Sequence, residues 1–239
     1  MQGKEDVEVF FEGTWGLRPG AAAKFLRDAD DYWFHVYKPQ PGDVIVDIGA
    51  GRGEDVFAFS NAVGPAGKVW AIEPHPATFS ILTKFCEVNK LANVETLRYA
   101  CVEEPGELQI ETLPVWESNY VRSGEPTATS YPVTGVTFDS LCRDKGIDRI
   151  DFLKMNIEGA EKVALPGCRH ALQLAKNVCV SGHDFRADRG EGETFRTLAF
   201  VRQFLTDAGF EISTRDEDPR YYVPYHVHGV QRNCYRMLA

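Results

Sequence analysis

The chain has 239 residues, with 35 acidic against 26 basic side chains, a net charge of -9 and a pI near 5.2. That balance argues against a protein that tracks a phosphate backbone, because such binding rests on clustered Lys and Arg, and no nucleic-acid partner is expected. No apolar run is long enough to span a bilayer, no basic segment precedes an apolar run at the N-terminus, and six scattered cysteines form no C-x-x-C pair, so a reducing, cytoplasmic setting is expected.

Residues 1–40 carry Phe10, Phe11, Trp15, Trp33 and Phe34, too many aromatics for a disordered tail. They are expected to form a helical cap over the sheet edge or the site, and such a cap is also a candidate surface for a homo-oligomer. From residue 41 to 239 one α/β domain is expected, with strand-like runs alternating with helical ones as in a mostly parallel sheet covered on both faces. The strands fall at 44–48, 68–72, 93–99, 151–155 and 177–181, with a terminal pair at 210–214 and 225–231. Helices are expected at 55–63, at 76–90 with Phe79, Leu82, Phe85 and Val88 at helical spacing, from 159 onward, and at 193–208 ending near Gly209. Segments 107–112 and 131–136 alternate as an inserted hairpin, a candidate wall for the substrate.

The first strand runs into Asp47-Ile48-Gly49-Ala50-Gly51-Arg52-Gly53, a turn whose glycines permit positive φ and whose following helix offers unpaired N–H groups. A dinucleotide fingerprint requires G-x-G-x-x-G, whereas Glu54 stands at the third glycine position here. Asp47 places a negative charge beside the turn, which suits a ligand with an ammonium group and repels a pyrophosphate. Glu73, ending the second strand twenty residues after Gly53, stands where a carboxylate accepts hydrogen bonds from ribose hydroxyls. Together these favour S-adenosylmethionine over NAD, with an NAD-dependent oxidoreductase as the competing class.

Further landmarks extend the pattern. They are Pro41-Gly42-Asp43, Gly64-Pro65-Ala66-Gly67-Lys68-Val69, Glu73-Pro74-His75-Pro76, Thr137-Phe138-Asp139-Ser140-Leu141, and Lys154-Met155-Asn156-Ile157-Glu158-Gly159-Ala160-Glu161. Over roughly residues 40–185 the chain resembles the FkbM-type S-adenosylmethionine-dependent methyltransferases. The Lys-x-Asn-x-Glu-Gly-x-Glu segment is the most specific part, although Asn156 stands where the family usually has aspartate. The resemblance implies a Rossmann-like class I methyltransferase fold with a mostly parallel seven-stranded sheet and helices on both faces. It also implies donor contacts at Asp47, Gly49, Ala50, Gly51, Gly53, Glu73, Pro74 and Asn156, with Ala100 and Cys101 beside the adenine. Its implied activity is O-methylation of a hydroxyl on a small-molecule, secondary-metabolite or sugar-containing acceptor. N-methylation, or a binding module that keeps the donor pocket without catalysis, remain alternatives.

Attack by a hydroxyl calls for a base, and His183, beside Asp184 after the fifth strand, is the first choice because imidazole titrates near neutrality. Glu158 and Asn156 complete the catalytic candidates. His226 and His228 alternate on the last strand and therefore share a face. In the class I arrangement that strand begins at the ligand end, making His183, Asp184, His226 and His228 a candidate set for a divalent metal. Lys154 reads as a buried charge paired with Glu158 or Glu161, and the charged run from Arg186 to Glu193 as a solvated loop able to act as a lid.

Overall fold

A computed structural model describes residues 6–112, 120–122 and 125–232. The chain opens with a hairpin, β1 (Asp6–Phe11) and β2 (Thr14–Pro19), followed by helix α1 (Ala21–Tyr32). Where a helical, aromatic-rich cap was expected, the segment is a hairpin plus one helix. The reason is local: Val7, Val9 and Trp15 alternate with polar residues at period two, and Glu12 and Gly13 turn the chain with φ of 48° and 80°. The hairpin packs Val7 against Phe57 and Phe85 of the main domain.

The main sheet contains β3 (Val44–Ile48), β4 (Lys68–Ile72), β5 (Val94–Leu97), β10 (Ile150–Met155), β11 (Ala175–Ser181), β12 (Phe210–Ser213) and β13 (His226–Gln231). Its order is β12-β13-β11-β10-β3-β4-β5, and only β13 runs against its neighbours. A buried parallel strand is apolar on both faces, and β10 is buried at every position. Its residues divide between two cores. Leu153 and Met155 join Val46, Ile48 and Val180 on one side, while Phe152 joins Ile45, Val69 and Cys179 on the other.

A second sheet, ordered β6-β9-β7-β8, is inserted between β5 and β10. It comprises β6 (Ala100–Cys101), β7 (Gly106–Glu111), β8 (Tyr120–Arg122) and β9 (Ser130–Val136). The expected hairpin is its antiparallel β7–β9 pair. Helix α4 (Phe138–Lys145) follows, unanticipated from sequence; Thr137 caps it by accepting the Ser140 N–H at 3.0 Å. Asp139 accepts the N–H groups of His170 and Ala171, capping the helix Arg169–Leu174, so the Thr-Phe-Asp-Ser-Leu landmark is architectural.

Strand order reverses between β3 and β10, and there the chain leaves both strands in close contact. The Asn156 N–H donates to the Ile48 carbonyl at 3.0 Å. Gly49 has φ 88°, and a Cβ there would lie 2.0 Å from the Asn156 carbonyl oxygen. Gly53, with φ 106°, begins helix α2 (Glu54–Val63); a Cβ there would lie 2.7 Å from Phe85 of helix α3 (Pro76–Val88). Gly53 therefore performs the packing role that the dinucleotide fingerprint gives to a glycine one position later.

Gly49→Ala should lower unfolding free energy by at least about 2 kcal/mol in urea titrations, since left-handed strain and backbone overlap combine. Gly20→Ala, also at positive φ (77°) but with nothing within 4 Å, should cost less.

Candidate active site

Parallel register sets Lys154 directly beside Asp47, and strand alternation turns both to the same face. The Lys154 Nζ lies 2.8 Å from Asp47 Oδ1 and 3.5 Å from Asp55 Oδ2, and donates to the Gly49 carbonyl at 2.8 Å. Burial opposes charge on both groups. Asp47 is pushed up to about 6 against the pull of Lys154, whereas Asp47 and Asp55 outweigh burial on Lys154 and raise it. The pair is ionic at neutral pH. The expected pairing of Lys154 with Glu158 or Glu161 is corrected, because register places those carboxylates beyond the strand end.

Above this pair lies a cavity of about 250 Å³. Gly49, Ala50 and Gly51 form its floor, and Pro74, Ala100, Cys101 and Ile110 wall it. Its charged lining is Glu54, Asp55, Glu73 and Glu158 against Lys154 alone. Asp47 and Gly53 are not in the lining: Asp47 is fully buried beneath the floor, where an internal ammonium meets its charge, and Gly53 packs on Phe85. Glu73 accepts the Gly51 N–H at 3.0 Å and the His75 N–H at 2.9 Å. Burial pushes it up to about 7, with those two N–H groups pulling the other way. The inserted sheet reaches this cavity through Ala100 and Cys101 of β6 and Ile110 of β7.

A second cavity, about 590 Å³, shares Asn156 and Glu158 with the first. Tyr32 and Trp33 from the N-terminal segment form one wall, and Phe185, Tyr221 and Tyr222 another. These aromatics were not singled out as site residues in sequence reasoning. The aromatic richness of residues 1–40 was the available signal, and nothing local ties it to residues 221–222.

His183 sits between two carboxylates, its Nδ1 3.0 Å from Glu161 and its Nε2 3.3 Å from Glu158. Burial would depress it, but Glu161 and Glu158 overcome that and raise it to about 10. Both ring nitrogens therefore face carboxylates that favour the protonated ring, rather than standing free as a general base would. Asp184 is also committed elsewhere, its Oδ1 accepting the Thr197 and Leu198 N–H groups at 2.8 and 2.7 Å.

Glu158 has φ 55°, a left-handed conformation held by its contacts. Its Oε2 accepts from Arg186 Nη1 at 2.9 Å, and Arg186 Nε donates to Glu191 at 2.7 Å. Next to it, Gly159 (φ 95°) presses on Phe195, where a Cβ would lie 2.5 Å away. Arg186 is buried and the helix Asp184–Asp188 anchors the start of the charged run at the site, while Asp188 to Glu191 are exposed as expected of a solvated segment.

His226 and His228 share a face as expected, each with partners of its own. His226 stacks on Trp33 at 4.7 Å and burial depresses it to about 3; His228 lies by His35 and Cys179. The candidate metal set does not converge: among the described residues no group of three or more His, Cys, Asp or Glu side chains is placed to hold a metal ion.

The fold and the twin cavities at its switch point define a class I methyltransferase architecture. One solved structure with this fold is Aeropyrum pernix fibrillarin with bound S-adenosyl-L-methionine, 13% identical, covering 96% of this chain and 84% of that one at a TM-score of 0.51. The Methyltransferase FkbM domain profile matches residues 47–212, and the chain belongs to that family. Its relatives include the hexuronic acid methyltransferase AglP of Haloferax volcanii, 27% identical over 59% of this chain, and methyltransferase sdnD of Sordaria araneosa, 25% identical over 78%. The aligned regions span 56% and 80% of those two proteins.

Lys154→Met should cost about 3–5 kcal/mol by stranding the buried Asp47 carboxylate, and adding Asp47→Asn should recover most of it in denaturant titrations. For His183 the folded pKa of about 10 exceeds the ordinary 6.5, so its stabilisation is complete below 6.5 and lost as pH rises toward 10. Wild-type melting temperature should fall across that window more steeply than that of His183→Gln.

Proposed function

We propose that this chain transfers a methyl group from S-adenosylmethionine, held in the first cavity, to an oxygen of a small ring-bearing acceptor, such as a sugar-containing metabolite, held in the second. The observation that carries the donor assignment is the charge of the first cavity. Four carboxylates against one ammonium favour a ligand bearing a sulfonium and an ammonium, and disfavour a dinucleotide pyrophosphate.

Each carboxylate oxygen of Glu73 accepts one backbone N–H and keeps lone-pair capacity for ribose hydroxyls. Glu54 and Asp55 at the start of α2 would face the ammonium, and the stretch at Ala100 and Cys101 would border the base. When bound, the donor supplies an electrophilic methyl group. The protein's part is alignment: Asn156 and Glu158 line both cavities and so mark where donor and acceptor meet. Aromatic walls in the second cavity suit the apolar faces of a ring, and the resemblance to a protein named for hexuronic acid supports a sugar-containing acceptor.

Isothermal titration should detect S-adenosylhomocysteine binding and no comparable NADH binding; the reverse order would overturn the donor assignment. Glu73→Gln should weaken the thioether roughly 10- to 100-fold, the range for a hydrogen bond to a charged group. Because Glu73 titrates near 7, wild-type affinity should decline as pH falls from 8 to 6, while the Gln variant stays flat.

A further inference from the structure

Of the Glu73-Pro74-His75-Pro76 landmark, Glu73 and Pro74 line the first cavity and His75 does not. His75 is nonetheless only 3% exposed, and all of its polar atoms are engaged. Its N–H donates to Glu73 Oε1 at 2.9 Å, and its carbonyl accepts the Phe79 N–H at 2.8 Å. Its ring caps α3: Nδ1 accepts the Thr78 N–H at 3.3 Å, with the Thr78 hydroxyl at the same distance. A backbone N–H can only donate, so Nδ1 is unprotonated, and the ring, which burial favours in its neutral form, carries its proton on Nε2. That proton is donated to Thr112 Oγ1 at 2.9 Å.

Thr112 belongs to the inserted sheet, 37 residues further along the chain. Its N–H continues the β7–β9 ladder by donating to the Thr129 carbonyl at 3.0 Å. Alternation puts Thr112 on the same face as Ile110, and register sets Tyr131 directly across from Ile110 on that face. The Tyr131 ring meets His75 edge-on, 5.6 Å away with the planes at 78°. The other end of the inserted sheet is rooted by the β6–β9 pairing at Ala100 and Cys101. His75 therefore holds the end that this pairing leaves furthest away. One imidazole joins that end, with the cavity wall Ile110, to Glu73 and Thr78 of the cavity's opposite lining elements.

We infer that His75 is a positioning residue for the methyl donor: its Nε2–H clasps the far end of the inserted sheet to the end of β4 and the start of α3, and so fixes the Ile110 wall relative to Glu73. The inference rests on the donor reading above and deepens it by naming a residue outside the cavity that shapes it. A wall already tied in place requires no ordering when the ligand binds, and this is how a hydrogen bond that never touches the ligand enters its affinity. Without the tether, the end of β7 is freed, and the donor must reorder it.

The test separates the clasp from the helix cap, with S-adenosylhomocysteine as the probe. Thr112→Val keeps the side-chain shape, removes only the accepting oxygen, and should weaken the thioether about tenfold by calorimetry, the scale of one lost hydrogen bond whose donor stays unpaired. His75→Asn retains a cap acceptor but is too short to reach Thr112, and should weaken binding as well; combined with Thr112→Val it should bind no more weakly than His75→Asn alone. His75→Gln offers an N–H near the place of Nε2 and lacks the cap acceptor. It should unfold at lower urea than Thr112→Val and yet bind the thioether more tightly, a crossing that a purely structural role would not give. Amides of residues 106–111 should exchange faster in Thr112→Val than in the wild type, with those of 150–155 unchanged. Wild-type affinity in Thr112→Val, losses that add in the double variant, or affinities that simply follow urea stability would overturn the clasp. A wild-type chain unable to bind the thioether would instead remove the donor reading beneath it.

Discussion

A lysine ammonium buried between two aspartates is the interaction on which the remainder of the site depends. Lys154 bridges the two strands at which the sheet reverses direction, and its third contact is the carbonyl of the first turn glycine. Taking this charge out of water is expensive, and full pairing with Asp47, Asp55 and a carbonyl dipole offsets that cost. The result is a rigid junction from which the glycine turn and the Asn156–Glu158 segment leave side by side. Both cavities are defined by those two exits.

A second charge cluster performs a similar task one layer further out. Glu161 binds the His183 imidazolium from inside the protein while Glu158 binds it from the cavity side, and Arg186 holds the other oxygen of Glu158. The left-handed backbone at Glu158 persists because these partners over-determine it. Consequently the Lys-x-Asn-x-Glu-Gly-x-Glu segment is explained residue by residue: Lys154 staples the strands, Asn156 borders both cavities, Glu158 and Glu161 trap the imidazolium, and Gly159 makes room for Phe195. The same two carboxylates favour the protonated form of the His183 ring.

The N-terminal segment lines a cavity as well as packing on the domain. Its hairpin covers α2 and α3, while the end of α1 delivers Tyr32 and Trp33 to the second cavity, where Trp33 stacks on His226 from the reversed last strand. The first cavity is lined largely by residues at or just beyond the ends of β3, β4 and β10. The second cavity gathers residues from positions 32–33, 156–158, 181–191 and 221–226.

Much of the architecture was legible from the chain alone. Strand and helix periods, the glycine turn and the carboxylate ending β4 are local patterns, and local patterns survive folding because backbone geometry repeats every two or 3.6 residues. They sufficed for the alternating α/β order and for Glu73, Ala50 and Gly51 beside one cavity, while Pro74, Ala100 and Cys101 came from the family resemblance. What tertiary structure alone decided were the partners of charged groups. Asp47 was read as facing a ligand's ammonium, yet parallel register set Lys154 against it; His183 was read as a free imidazole, yet the turn after β10 brought two carboxylates to its ring nitrogens. A protonation state is set by the groups within a few ångströms and by exclusion of water, and neither is encoded in spacing along the chain. For this protein, sequence by itself determined the glycine turn and the carboxylate that border the first cavity, because both are local patterns, and the folded arrangement determined which charged groups meet and which side chains line the second, because register and packing bring together residues far apart in the chain.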